Sequence, residues 1–192
     1  MKSKKSILLA SGSPRRRELM LQLAVKFTVE PADIDETVIA GESPRDYVVR
    51  LSREKALAGF RQCGGQKPSL GSDTIVLLDD EILGKPASRQ EAEEMLTRLS
   101  GRTHHVYSAV ALALDENRVF DTLNVTAVTF GEMPFDWIKQ YCQCDEPMDK
   151  AGAYAVQGAT SQYIRHIDGS YSGVMGLPLF ETAELLRDAG LL

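Results

Sequence analysis

The chain alternates between short apolar runs and segments in which apolar residues recur every three or four positions. Runs of the first kind predict β-strands, and segments of the second kind predict amphipathic helices with one buried side. A further helix is predicted to begin at Pro14. The predicted strands cover residues 7–10, 26–29, 75–78, 103–114, 119–130 and 163–167, and the other predicted helices cover 44–60, 88–100, 134–143 and 178–189. This alternation indicates an α/β protein.

Two helix starts carry clear capping signals. Ser43 and Ser88 each precede a helical pattern and are followed three residues later by an acidic side chain, Asp46 or Glu91. This spacing is typical of a capping box. Since the chain shows no internal repeat, low-complexity tract or linker, we expect a single domain over residues 1–192 with two lobes.

The first strand and helix form a candidate anion site. Ser11, Gly12 and Ser13 are small residues before Pro14, so backbone N–H groups stay accessible at the helix start. Arg15 and Arg16 add positive charge beside the helix dipole, which favours a phosphate. The alternative is an ordinary turn followed by solvated arginines.

A lysine falls on the predicted inner face of the second helix. Stepping three and four residues along the apolar stripe from Leu51 leads to Lys55, whereas Arg50, Arg53 and Glu54 lie toward the flanks, where we expect them to be solvated. An inward lysine either extends its amine to an edge or meets an anion. Both interpretations stay open here.

Carboxylates cluster at two places that suit metal or acid–base chemistry. Asp33, Asp35 and Glu36 share a predicted loop, which either holds a divalent cation or binds nothing. Asp73 follows Gly71 and Ser72 at the predicted edge of the 75–78 strand, a position where α/β enzymes place catalytic groups.

The later part of the chain offers an amine and an amide. Lys85 lies between a glycine and a proline, so its backbone is restrained; the alternative is a turn lysine in water. Residues 145–161 predict a long irregular loop whose small apolar residues argue against disorder. Gln157 within this loop carries one acceptor and two donors, which suits recognition of a nucleobase edge.

Composition narrows the class of protein. The net charge of −5 and the pI near 5.3 do not favour nucleic acid or an anionic membrane surface. The segment 1–5 carries three lysines, but the apolar run after it is too short for a signal-peptide core or a membrane span. We therefore expect a cytoplasmic protein.

The cysteines and histidines are interpreted as structural. The odd cysteine count and a Cys-x-Cys pair at 142–144 without a second pair indicate reduced thiols. His104 and His105 are adjacent, so on a strand they point to opposite faces and cannot share one metal ion.

Cations, carboxylates and an amide thus come from separate segments. Together they are the groups needed to hydrolyse a nucleoside triphosphate, since cations neutralise phosphate charge, carboxylates hold a metal or activate water, and an amide selects the base. The chain lacks the Gly-x-x-x-x-Gly-Lys-Ser/Thr loop of the P-loop NTPases.

Several short motifs, in order along nearly the full length, resemble the Maf proteins, nucleoside triphosphate pyrophosphatases first associated with septum formation. None is specific alone, but the set is. The motifs are Ala-Ser-Gly-Ser-Pro-Arg-Arg at 10–16, Asp-Glu at 35–36, Arg-Glu-Lys-Ala at 53–56, Gly-Ser-Asp-Thr at 71–74, Gly-Lys-Pro at 84–86, Leu-Ser-Gly at 99–101, Met-Asp-Lys-Ala-Gly-Ala-Tyr at 148–154, Gln-Gly at 157–158 and Gly-Leu-Pro-Leu at 176–179.

The resemblance implies a mixed, twisted sheet with flanking helices and two lobes around a central cleft, as in Maf and ITPase-like folds. It also implies a homodimer, a divalent cation (Mg²⁺, Mn²⁺ or Co²⁺), and cleavage between the α- and β-phosphates. Arg15, Thr74 and Gln157 are similar to the dTTP/UTP pyrophosphatase branch rather than to the branch acting on 7-methyl-GTP.

The site residues expected from the residues and the resemblance together fall into three roles. The catalytic set is Asp73, Lys55 and Lys85; the substrate-binding set is Ser11, Arg15, Arg16, Thr74 and Gln157; the metal set is Glu36 and Asp73. A nucleotide-binding regulator of cell division that needs no turnover is the alternative function.

Overall fold

The computed structural model describes residues 6–192, and the predicted basic segment 1–5 lies outside the described residues. Seven strands and six helices follow in the order β1, α1, β2, α2, β3, β4, α3, β5, β6, α4, β7, α5, α6 within this range. The strands are β1 (Ile7–Leu9), β2 (Phe27–Val29), β3 (Ser69–Leu78), β4 (Glu81–Leu83), β5 (Thr103–Ala113), β6 (Val119–Phe130) and β7 (Ile164–Asp168). The helices are α1 (Pro14–Leu21), α2 (Pro44–Gln62), α3 (Arg89–Leu99), α4 (Phe135–Tyr141), α5 (Tyr171–Met175) and α6 (Leu179–Asp188).

The strands form one mixed sheet in the order β2-β1-β3-β5-β6-β7, with β4 paired to β3. Strand β1 runs parallel to both β2 and β3, whereas β4 is antiparallel to β3 and β7 is antiparallel to β6. The predicted mixed sheet with flanking helices is confirmed. No helix among residues 6–192 has both the length and the apolarity to cross a bilayer.

The predicted helix starts are confirmed by their caps. The Ser13 hydroxyl accepts from the Arg16 N–H, with Pro14 at the first helical position of α1. Ser43 and Ser88 accept from the N–H groups of Asp46 and Glu91, each at 3.1 Å. These local hydrogen bonds satisfy N–H groups that have no partner inside the helix.

Strand β3 differs most from its prediction. It begins at Ser69 rather than near residue 75, so Asp73 lies inside a ten-residue strand and not at its edge. Nearly every residue of β3 is buried. Its first half is nevertheless rich in serine, glycine and aspartate, which are typical of loops, so the sequence does not reveal this part as a strand.

One smaller prediction needs correction, and one short helix was missed. The 145–161 segment contains short 3₁₀ turns, at Glu146–Asp149, Ala151–Ala153 and the start of Ala159–Tyr163, and is not irregular throughout. The short helix α5 was not predicted, because five residues are too few to show helical periodicity. The three cysteines are free thiols, as predicted.

The chain divides into two compact units. The first comprises the described residues up to Asp73 together with Ser108–Asn124 and Gly176–Leu192, and the second comprises Thr74–Tyr107 and Val125–Met175. The core of the second unit includes Leu96, Leu99 and Phe130, which are at most 1% exposed. In the first unit, α2 buries Ala56 and Phe60 against Ala111 and Ala113 of β5.

Candidate active site

A buried lysine joins two carboxylates in the first unit. The Lys55 ammonium lies 2.7 Å from Asp73 Oδ1 and 2.7 Å from Glu36 Oε1. The side chains of Lys55 and Asp73 are 11% and 10% exposed, whereas that of Glu36 is 56% exposed. The prediction that Lys55 faces inward is therefore confirmed. Of the two open alternatives, the structure shows the one in which the amine meets an anion, here a pair of carboxylates from separate segments.

Close packing of α2 against the sheet brings Lys55 to Asp73. A Cβ added to Gly71 would overlap the backbone of Ser52 and Ala56, on either side of Lys55 in α2. A Cβ on Gly59 would overlap the side chains of Ser69 and Ala10. The helix can lie this close to β1 and β3 only because both positions lack a side chain.

The loop that carries Glu36 is held by the first half of α2. The Tyr47 hydroxyl donates to the Glu36 carbonyl at 2.9 Å, and Arg50 donates to the Thr37 carbonyl at 3.2 Å. Arg50 also pairs with both carboxylate oxygens of Glu42, at 2.7 and 2.8 Å. The prediction that Arg50 is solvated is wrong, because its planar guanidinium ties the 37–42 loop to α2.

The charge of the site also affects Tyr47. Burial raises the pKa of its phenol, and the negative charges of Asp73 and Glu36 raise this pKa further, against an opposing effect of Arg50. The phenol therefore stays protonated at neutral pH and remains a hydrogen-bond donor to the loop.

Arg16 is held by a backbone carbonyl from the far end of the chain. Its Nε donates to the Gly176 carbonyl at 2.8 Å, and its Nη1 donates to the Ser11 hydroxyl at 3.4 Å. The buried Ser72 hydroxyl donates to the same Gly176 carbonyl at 3.0 Å. The turn at Gly176 thus fixes the orientation of the guanidinium at the start of α1.

The electrostatic surroundings of Arg16 include the two carboxylates. Burial lowers the pKa of its guanidinium; the charge of Asp73 opposes this, the charge of Arg15 adds to it, and Glu36 again opposes it. The two carboxylates that contact Lys55 therefore also stabilise the positive charge of Arg16. Arg15 is half-buried and Arg17 is exposed.

The remaining predicted residues belong to the second unit. Thr74 follows Asp73 in β3 and is half-buried, while Lys85 and Gln157 are exposed. The Gly152 N–H donates to the Gly84 carbonyl at 3.1 Å, which links the segment before Gln157 to the turn that carries Lys85. Six of the nine predicted residues thus lie in the first unit and three in the second.

Sequence reasoning missed Ser72 and Gly176 as groups that orient Arg16, and Tyr47 as a support of the Glu36 loop. Ser72 reads as part of a loop before a strand, and Tyr47 reads as one apolar position in the stripe of α2. The signal for Ser72 is its place beside Asp73 in a stretch that turns out to be a buried strand, where a polar side chain needs a partner.

The residues present suit a hard divalent cation in part. Glu36 and Asp73 direct carboxylate oxygens at one positive group, and carboxylates are the ligands that such cations prefer. Within residues 6–192 no group of three or more His, Cys, Asp or Glu side chains is placed to hold a metal. Two carboxylates would match a hard cation that takes one or two protein carboxylates together with phosphate oxygens.

The family model and the curated relatives that this chain matches agree on one protein family. The family model described as Maf-like protein matches residues 6–189. A dTTP/UTP pyrophosphatase of Escherichia coli (strain K12) is 51% identical over 183 residues, which cover 95% of this chain and 92% of that protein. A dTTP/UTP pyrophosphatase of Pseudoalteromonas atlantica is 45% identical over 188 residues, covering 96% of this chain and 97% of that protein.

A solved structure supports the fold. The HAM1 protein from Coxiella burnetii superposes with a TM-score of 0.51 at 18% identity, covering 96% of this chain and 99% of that chain. At this identity the likeness concerns the fold alone. Because the family model matches almost the whole described range and both relatives align along nearly their full length, the chain belongs to the Maf-like protein family.

Proposed function

We propose that this protein is a nucleoside triphosphate pyrophosphatase that hydrolyses dTTP and UTP to the monophosphate and pyrophosphate. The observation that carries the proposal is the buried ammonium of Lys55, held 2.7 Å from both Asp73 and Glu36 in a chain of the Maf-like family. Two relatives that align along nearly the full length are named dTTP/UTP pyrophosphatase, which supports the choice of substrates.

Asp73 is the proposed general base. In the proposed reaction a water oxygen attacks the α-phosphorus, the bond from that phosphorus to the bridging oxygen breaks, and the water proton passes to Asp73. Pyrophosphate leaves with the bonding electron pair. Lys55 orients the Asp73 carboxylate, and Lys55, Arg16 and Lys85 stabilise the negative charge that builds on the phosphates and the leaving group.

Glu36 and Asp73 are the residues proposed to hold a divalent cation, Mg²⁺, Mn²⁺ or Co²⁺. When bound, the cation would neutralise phosphate charge and polarise the phosphorus–oxygen bonds. The partial exposure of Glu36 leaves its carboxylate accessible to an arriving ion.

Substrate binding is assigned to two further groups of residues. Ser11, Arg15 and Arg16 at the start of α1 suit phosphate oxygens, because they combine a helix start with two positive charges. Thr74 and Gln157 are assigned to base selection, where the neutral amide of Gln157 suits the mixed carbonyl and N–H edge of uracil and thymine. A homodimer stays a prediction from the family resemblance, and a cytoplasmic location stays a prediction from the short apolar run near the start of the sequence.

The test is an assay of purified protein with a panel of nucleoside triphosphates and each of the three cations, with products identified by chromatography. We expect dTMP or UMP together with pyrophosphate from the unmodified protein. Asp73→Asn should lower kcat by about a hundredfold or more, because it removes the proton acceptor. Asp80→Asn, which changes an exposed carboxylate in the β3–β4 turn, is the matched control.

Two outcomes would contradict the proposal. Nucleotide binding without products would favour the regulator of cell division over an enzyme. Pyrophosphate release by Asp73→Asn at the rate of the Asp80→Asn control would remove Asp73 from the role of base.

A further inference from the structure

The turn that presents Gln157 is fixed from both sides within the second unit. Gly158 N–H donates to the Ala155 carbonyl at 3.0 Å and closes the turn in which Gln157 is the exposed residue. The hydroxyl of Thr160, a fully buried side chain, donates to the same Ala155 carbonyl at 2.8 Å. The Gln157 backbone is therefore anchored just before and just after its own position.

Glu146 provides the second anchor of this turn. Its Oε1 accepts from the Ala159 N–H at 3.2 Å and from the Tyr141 hydroxyl at 2.9 Å. Burial raises the pKa of the Tyr141 phenol, and the hydrogen bond to Glu146 raises it further, so the phenol stays a donor at neutral pH. The carboxylate is thus held on one side by α4 and holds the 155–159 turn on the other.

Gly158 shows how tightly Glu146 approaches the turn. A Cβ at this position would overlap Glu146 Oε1 and come within 2.8 Å of its carboxyl carbon. The backbone carbonyl of Glu146 also accepts from the Lys150 ammonium at 2.6 Å, which restrains the 3₁₀ turn that carries Glu146. Glu146 is therefore held directly against Gly158, the residue that follows Gln157.

We propose that Glu146 is a positioning residue that sets where the Gln157 amide is presented to the nucleobase. The inference rests on the proposed function, since it assumes that Gln157 contributes to base selection. An exposed amide discriminates between bases only if its backbone is held, because a mobile amide can adapt to several patterns of donors and acceptors. Glu146 acts through Gln157 and does not itself touch the substrate.

The experiment compares Glu146→Ala with Gln157→Ala, with the double variant and with Glu146→Gln, using dTTP, UTP, CTP and GTP as substrates. We expect Glu146→Ala to reduce the ratio of kcat/KM for dTTP to that for GTP about tenfold, in the same direction as Gln157→Ala. The double variant should be no less selective than Gln157→Ala alone, because the two residues act in one chain of contacts. Glu146→Gln keeps an acceptor oxygen and should retain most of the selectivity.

Amide hydrogen exchange supplies a readout that is independent of activity. Glu146→Ala should speed exchange of the Ala159 N–H, which loses its acceptor, while Glu94→Ala on α3 should leave this exchange and the selectivity unchanged. Glu94 is an exposed residue of the same unit and serves as the matched control.

The failures of the two proposals can be told apart. If the unmodified protein hydrolyses neither dTTP nor UTP, the proposed function fails. If the unmodified protein is active and Glu146→Ala keeps its selectivity, the positioning role is overturned, and unchanged Ala159 exchange in Glu146→Ala overturns the anchor itself. Additive losses of selectivity in the double variant would equally contradict action through Gln157.

Discussion

Replacing Lys55 with methionine should cost the protein far more stability than replacing any exposed lysine. Lys55 is the counter-charge of Asp73, whose side chain is only 10% exposed, at a distance of 2.7 Å. Removing one partner of a buried ion pair leaves a buried charge without compensation, and such truncations cost about 3–5 kcal/mol. We take the lower end, about 3 kcal/mol, because the site also opens to water at the more exposed Glu36.

The assay is urea unfolding and thermal unfolding of metal-free protein in the presence of a chelator. For a chain of this size, about 3 kcal/mol corresponds to a fall in Tm of about 6–12 °C. Glu36→Gln should cost less than about 1 kcal/mol, since the Glu36 side chain is 56% exposed and its pair with Lys55 is screened by water. Lys26→Met, at an exposed position in the same unit, should leave Tm nearly unchanged.

The double variant Lys55→Met/Asp73→Asn separates charge from packing. With both charges gone, no buried carboxylate is left uncompensated, since the remaining partner of Lys55, Glu36, is 56% exposed. The double variant should therefore be more stable than Lys55→Met alone by at least about 1 kcal/mol. It should nevertheless be inactive under the proposed function. A loss below about 1 kcal/mol for Lys55→Met, or a double variant as unstable as the sum of the two single variants, would refute the assignment of a buried ion pair.

Two further predictions concern packing and pH. Gly71→Ala should lower the free energy of unfolding by about 1–3 kcal/mol, because the added Cβ meets the α2 backbone and must push the helix away from β3. The measurement is a urea titration, and an unchanged unfolding midpoint would contradict this close approach. Burial, with a smaller contribution from His105, lowers the pKa of His104 to about 4, so the unfolded chain takes up a proton first as the pH falls. This contribution to stability is complete above about pH 6.5 and is lost toward pH 4 at up to about 1.4 kcal/mol per pH unit. His104→Gln should flatten that part of the stability profile, whereas His105→Gln, at an exposed position, should alter it only slightly, because it removes the smaller of the two causes.

Local signals predict much of the fold because they act over a few residues. Ser43 and Ser88 cap the helices that their sequences indicate, and the run at residues 119–130 predicts β6 with its observed bounds. Asp79 and Asp80 form the tight turn before β4 with positive φ values, a conformation that aspartate tolerates better than most residues. Each of these features depends on neighbours in sequence, which a single chain displays directly.

Strand β3 could not be predicted in full, because its first half is defined by long-range packing. Gly71 reads as a turn residue, yet it lies in a strand and is needed where α2 passes close to the sheet. Ser69 and Ser72 read as loop residues, yet both are fully buried. The residue types in a central strand therefore identify it as a strand only once the helices that pack on it are known.

Lys55 shows how far a physical argument from sequence reaches. Desolvation makes a lysine on the inner face of a helix costly, so periodicity predicts that the Lys55 amine either extends to an edge of the helix or meets an anion. Periodicity cannot say which anion, because Glu36 and Asp73 come from a loop and a strand on either side of α2 in the chain. The pairing depends on the close approach of α2 to β3 that Gly71 permits, so the position of the proposed general base rests on a glycine whose role appears only in three dimensions.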